Sequence, residues 1–222
     1  MNIIYLLFHG LSPYSGISKK ILHQVKGFEA CGHRVSLCTY SIADNGHRVR
    51  MINNEIIEDY GTGKPAAAKR RVSYQCIYRY AVTHQVELIY VRSFHNANPF
   101  TIRLFSKLRK AGIKIAMEIP TYPYDSEYAG FPLVTRLGIQ VDKVFRKTLA
   151  KHVNAIVTFS DYHCIFGQRT IQISNGVDFD SIPLKKTVAK NTSVIHLLGV
   201  AEVHYWHGYD LSLIHISEPT RP

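Results

Sequence analysis

The stretch NIIYLLF, residues 2–8, is an almost unbroken apolar run of β-forming residues. A strand with one solvated face alternates apolar and polar positions, so a continuous run suits a strand buried on both faces of a parallel sheet. His9-Gly10 ends the run, and LSPYSG at residues 11–16 is a loop by composition. Ser15 or Ser18 is placed to cap a following helix, along which Ile17, Ile21, Leu22, Val25 and Phe28 recur at helical spacing. Strand, loop with Gly16 and helix make the first half of a βαβ unit.

Outward from that unit the alternation persists. Gly32 closes the helix and RVSLCTY, residues 34–40, forms the second strand. Short β-like pieces at 49–52 and 55–58 pair as a hairpin, and Pro65 opens a helix that runs to about His84. Further strands are expected at 87–92, 113–117, 154–159 and 170–173, with helices at 99–110 and 131–151. Residues 161–166 read as a short helix or turn. The six apolar positions Leu133, Leu137, Val141, Val144, Phe145 and Leu149 carry the helical period of 131–151. This order predicts an α/β fold, a Rossmann-like doubly wound sheet of mostly parallel strands. Ligands of such sheets bind beyond the carboxyl ends of the strands, which selects the loops beginning at His9, Tyr40, Arg92, Glu118 and Ser160.

Composition removes several classes. The chain has 222 residues, 46% of them hydrophobic, as a folded protein requires. No stretch approaches the ~20 apolar residues that span a bilayer, and the first ten residues lack the basic region and cleavage site of a secretory leader. Cys31, Cys38, Cys76 and Cys164 stand singly among apolar residues and read as buried free thiols in a reducing cytoplasm. The net charge of +11 calls for an anionic partner. Its Lys and Arg residues fall on helices, as solvated faces or as a contact with anionic lipid, and no nucleic-acid reading motif or stacking platform accompanies them.

Three segments invite chemistry. Gly16 opens a helix whose free amides and dipole favour an anion, although a glycine there also serves a turn. EIPTYPYDSE, residues 118–127, combines Glu118, Asp125 and Glu127 with Tyr122 and Tyr124; carboxylates and rings of this kind suit sugar hydroxyls and sugar C–H faces, and an ordinary surface loop is the competing reading. GTGKPA, residues 61–66, fits a dinucleotide fingerprint only in outline, because it does not follow the first strand and no acid ends the next one. His204 and His207 lack the further ligands of a metal site, so no metal is expected.

IQISNGVD, residues 171–178, ends the α/β unit at a turn signalled by Asn175-Gly176. Residues 181–193 read as a linker, and VIHLLGV at 194–200 as the strand that opens a second domain. The run PYSGISKKI, GHRV, EIPTYPYDSE, SNGVD and VAEVHYWHGYD resembles bacterial glycosyltransferases of family 4, of the kind that build capsule or exopolysaccharide, over essentially residues 1–210. The resemblance implies the GT-B fold, with 1–180 as the amino-terminal acceptor domain and 194–210 as the start of the donor domain. It also implies a retaining, metal-independent transfer from a nucleotide-sugar, with no cofactor, to a lipid-linked or polysaccharide acceptor of the cell envelope. Ser15, Gly16 and Ile17 would approach the donor diphosphate; Glu118, Tyr122, Tyr124, Asp125 and Glu127 would face the cleft. Asn175, Gly176 and Asp178 would form the hinge, and His207 and Gly208 a remnant of the donor domain. Residues 211–222 resemble an adaptor-derived tail, which makes the expected chain an inactive fragment. The expected location is the cytoplasm, peripheral on the inner face of the cytoplasmic membrane. A non-enzymatic α/β module for anionic ligands is the alternative.

Overall fold

A computed structural model describes residues 1–93, 95–125, 133–176 and 178–182. The chain divides into a unit at Met1–Phe179 and a second at Asp180–Pro222, and of the second only 180–182 are described. His207, Gly208 and the expected linker and tail therefore lie outside the described residues, as does Glu127.

The first unit is α/β. Its strands are β1 (Asn2–Leu6), β2 (Arg34–Ile42), β3 (Arg48–Ile52), β4 (Glu55–Asp59), β5 (Leu88–Arg92), β6 (Lys114–Ile119), β7 (Ala155–Thr158), β8 (Cys164–Ile165) and β9 (Gln168–Gln172). Its helices are α1 (Gly16–Ala30), α2 (Gly63–Val72), α3 (Gln75–Thr83), α4 (Pro99–Lys110) and α5 (Leu133–Ala150). The strands form a sheet in the order β4-β3-β2-β1-β5-β6-β7-β9-β8, parallel from β2 through β9 and antiparallel at its margins. The chain steps from β1 to β2 on one side and returns to β5 on the other, so the switch in strand order falls between β1 and β5.

The apolar run of β1 is buried on both faces, as an interior parallel strand must be. Ile4 and Leu6 face a core shared with Ile77 of α3, Leu104, Phe105 and Leu108 of α4, and Leu149 of α5. Ile3, Tyr5 and Leu7 point the other way, into a cluster with Ile21, Val25 and Phe28 of α1. The period of two along one strand thus assigns its alternate residues to two helical layers, each buried side chain contributing about 1.5–3 kcal/mol.

Several expectations are corrected. The helix expected from Pro65 to His84 is two helices, because Ser73 is extended and Tyr74 turns into the core, edge-on to Phe8, with its hydroxyl donating to the Arg71 carbonyl. Residues 164–165 are a strand paired with β9 rather than a helix. Cys38 and Cys76 are buried, but Cys31 and Cys164 are exposed. Gly176 does not adopt a left-handed φ. Glu118 belongs to β6, paired with Arg92 of β5, and not to the loop that follows.

Candidate functional site

At the switch point, beyond the carboxyl ends of β1, β5 and β6, lies a cavity of about 720 Å³. The loop after β1 lines it with His9, Gly10, Ser12 and Ser15, and α1 adds Gly16, Ile17, Ser18 and Lys20. The end of β5 contributes Arg92, Ser93 and His95; the end of β6 contributes Ile119, Pro120, Thr121 and Tyr124; Asn175 completes the wall. A ligand of sugar or nucleotide size fits this volume. Of the five loops selected from sequence, those after His9, Arg92 and Glu118 line it; those after Tyr40 and Ser160 do not.

The α1 end is built from serines. Ser15 is the N-cap, its Oγ accepting from the Ser18 amide at 3.4 Å, while the Ser18 Oγ accepts from the Ser12 amide at 2.9 Å. The amides of Gly16 and Ile17 have no carbonyl one turn earlier to donate to, and both residues line the cavity. That end of α1 favours negative charge. A methyl group added at Gly16 would meet nothing within 4 Å, so the fold itself does not demand glycine there. Gly10 is the opposite case: a Cβ would sit 2.9 Å from the Tyr40 carbonyl oxygen, and that close approach holds the β1 loop against the end of β2.

Lys20, one turn into α1, adds a cation at the rim. Its Nζ donates to Asn175 Oδ1 at 2.7 Å and lies 3.6 Å from the centroid of the Phe159 ring. Burial pushes its pKa below the usual lysine value, with the Glu118 charge opposing. Further along α1, Lys26 donates to Asp178 at 2.8 Å and His23 lies 4.0 Å from the same carboxylate. The three expected joint residues are therefore distributed: Asn175 lines the cavity, Asp178 is held by α1, and Gly176 has open space around it.

The residues of 118–127 do not act as one surface. Glu118 is fully buried and accepts from Gln24 Nε2 at 2.9 Å and from the Tyr90 hydroxyl at 2.7 Å, and it pairs with the Arg92 guanidinium. Gln24 Oε1 accepts in turn from the Tyr5 hydroxyl at 2.6 Å. Burial and the Glu118 charge push both tyrosine hydroxyls well above the ordinary phenol pKa, so they remain donors. Glu118 is thus one layer behind the cavity wall, neutralising the arginine that forms it.

Tyr124 does line the cavity, with its ring 4.4 Å from that of His95 and its hydroxyl donating to the buried Asp142 at 3.0 Å. Asp142 also accepts from the Ala97 amide at 2.9 Å, which fixes the loop after β5. Burial lowers the His95 pKa, with Asp142 opposing. Tyr122 packs edge-on to Tyr162 and Phe166 away from the cavity. Asp125 turns to α5 and accepts both Arg146 nitrogens, at 2.7 and 3.1 Å, which together with Lys143 holds its carboxyl below the usual range.

Among the described residues no carboxylate lines the cavity. Its polar groups are cations, imidazoles, hydroxyls and amides, which is the chemistry of anion binding rather than of carboxylate general base catalysis. The sequence marks His9 and Arg92 only as the starts of loops, assigning their side chains no role, and it singles out neither Lys20 nor His95. An arginine closing the apolar strand ELIYVR was the available signal for Arg92, because a charge ending a buried strand needs a partner. No protein-family model matches the chain, and no curated protein matches it.

Proposed function

We propose that the chain serves glycosyl transfer from a nucleotide-sugar, with retention of configuration, to a cell-envelope polysaccharide or lipid-linked glycan. In this reading the Met1–Phe179 unit holds the acceptor and presents α1 to the donor diphosphate. One observation carries it: a cavity of sugar size at the switch point joins the start of α1 and Lys20, which suit a diphosphate, to the Tyr124 ring, which suits a sugar face. The motif resemblance points the same way. Glu118 then acts on the ligand through Arg92, as a positioning residue.

The cavity's lack of a lining carboxylate among the described residues favours a second reading, an anion-binding module without transfer chemistry. Saturation-transfer NMR with uridine diphosphate sugars and with oligosaccharide acceptors separates the two. Glycosyl transfer requires magnetisation on sugar ring protons, lost in Lys20→Met and in Gly16→Val with unchanged thermal unfolding. Binding of inorganic pyrophosphate alone, with no contact to any sugar ring, would make the module reading the correct one.

A further inference from the structure

Where α2 packs on β3, arginines gather without an acid. Arg48 and Arg50 alternate along β3 on the face that carries Ile52 into the core, and α2 sends Arg70 to the same place. All three converge on Tyr40 of β2. Arg48 Nη1 donates to the Tyr40 hydroxyl at 2.7 Å, the Arg70 guanidinium carbon lies 4.2 Å from the centroid of its ring, and Arg50 is its cross-strand partner. Arg50 is 2% exposed. Its Nη1 donates to the Leu7 carbonyl at 2.7 Å, but its Nε donates to nothing, and the Nε of Arg70 is likewise buried and unpartnered.

A buried guanidinium is ordinarily held by a carboxylate, because an unpaired charge is costly to desolvate. Arg92 follows that rule with Glu118. Arg50 does not. Glu58 stands opposite it in the β3–β4 pairing but turns to Arg79, 3.6 Å away, and Asp59 accepts from the Gly61 amide and lies 2.7 Å from the His47 ring. Among the described residues no acid pairs with Arg48, Arg50, Arg70 or the exposed Arg71. Burial pushes the Arg70 pKa below the usual guanidinium value, Tyr40 opposes, and the charges of Arg71, Arg48 and Arg50 push it further down. The helix dipole accounts for Lys69 and Arg71 in the last turn of α2. It does not account for Arg48 and Arg50, which belong to a strand.

We propose that Arg48, Arg50 and Arg70 form a binding site for a phosphomonoester dianion, separate from the cavity at the switch point. Guanidinium groups match phosphate oxygens with paired N–H donors, and a dianion balances three cations better than a monoanion does. Arg50 closes the inner end and the half-buried Arg48 and Arg70 form the mouth. The Tyr40 hydroxyl, which accepts from Arg48, keeps its own proton to donate. Both unpartnered Nε atoms are shielded from water, so the phosphate enters as Arg70 swings off the Tyr40 ring. The site also touches the cavity wall: the Tyr40 amide donates to the His9 carbonyl at 3.3 Å, and Leu7, whose carbonyl Arg50 holds, starts the same loop. An occupied site therefore braces that loop. The proposal rests on the arginines and not on sugar transfer, so a cavity that binds no sugar leaves it standing.

Proton–nitrogen correlation spectra of the full chain test it at the arginine Nε–H signals, recorded at about pH 7, where a phosphomonoester is mostly a dianion. Methyl phosphate should move the Arg50 and Arg70 signals together and saturably, and raise the unfolding temperature. Dimethyl phosphate, a monoanion, and acetate should bind at least about tenfold more weakly. Inorganic phosphate binding as tightly as methyl phosphate supports the site with the free ion as its occupant; weaker binding supports it with an ester. Arg48→Gln and Arg70→Gln should each lose at least about tenfold in affinity, with the unliganded unfolding temperature unchanged or higher because a repelling charge is gone. Should Arg70→Gln unfold early, Arg70→Lys, which keeps the charge but not the paired donors, should show the same loss. Lys20→Met should leave the response intact. The proposal is overturned if neither Nε signal responds to methyl phosphate, if dimethyl phosphate or acetate binds as tightly, or if Lys20→Met abolishes the response, which would place the phosphate at α1. It is equally overturned if Arg70→Gln lowers the unliganded stability and leaves the affinity unchanged, which would make the cluster a structural feature only.

Discussion

Glu118 has no contact with water, and its two carboxylate oxygens take donors from three directions. A pair of this kind is costly to desolvate and costlier to break, because removing one member strands the other as a buried charge. Glu118→Met is expected to destabilise the fold by about 3–5 kcal/mol, whereas Arg92→Met/Glu118→Met should cost much less than the sum of Glu118→Met and Arg92→Met. Urea unfolding of the four proteins closes that cycle; strict additivity would mean that the pair is not coupled. The sequence marked Glu118 as chemically interesting for a reason that does not survive at the residue scale. It was grouped with Asp125 and Tyr124 by adjacency, yet one carboxylate turns under Arg92, the other turns to Arg146, and only the ring reaches the cavity. Adjacency in a loop says nothing about the direction of side chains. What would have separated them is the strand boundary: β6 continues to Ile119, two residues beyond the expected end, and that extension buries Glu118.

At the scale of elements, the two best-defined helix starts differ in a way that stability can register. α4 begins with a full capping box: Asn98 Oδ1 accepts from the Phe100 amide at 2.9 Å and the Thr101 amide at 3.1 Å, the Thr101 hydroxyl accepts from the Asn98 amide at 3.0 Å, and Pro99 stands in the first turn. α1 has a single long contact, Ser15 to the Ser18 amide at 3.4 Å. Asn98→Ala should therefore cost about 1–2 kcal/mol and Ser15→Ala about 0.5 kcal/mol, measured by thermal unfolding; the reverse order would contradict the capping geometry. The weaker start is the one at the cavity, where amides left without carbonyl partners are of use to a ligand. Elements of this kind were legible: α4 occupies the expected residues 99–110, and the β3–β4 hairpin turns at Asn53-Asn54, both at positive φ. The split of the expected helix at Ser73-Tyr74 was not legible, since neither glycine nor proline marks it. Only the core position of Tyr74 against Phe8 decides it. α5 shows the complementary limit: periodicity revealed the helix, but Leu133, Leu137, Val141 and Val144 are exposed, and a stripe facing solvent and a stripe facing the core give the same period.

For the whole molecule, the order of strands governs more than the location of the cavity. β3 and β4 meet across a two-residue turn, whereas β1 and β5 pair Ile3 with Leu88, and Lys20 reaches Asn175 from 155 residues away. Contacts between distant positions close large loops, and their entropy is lost before their energy is gained. Pulse-labelled hydrogen exchange during refolding should accordingly show the β3–β4 amides protected first and the β5–β6 amides later; simultaneous protection would argue against such an order. During synthesis, β1 has only β2 available as a neighbour until residues 88–92 emerge, so one edge of the most apolar strand waits unpaired. The cavity takes walls from His9 to Asn175, and its last wall arrives near the end of the unit. The switch point is thus a timer as well as a place: binding competence is acquired only after nearly all of the α/β unit has been made, and a chain that stalls earlier presents a sticky strand edge and no site.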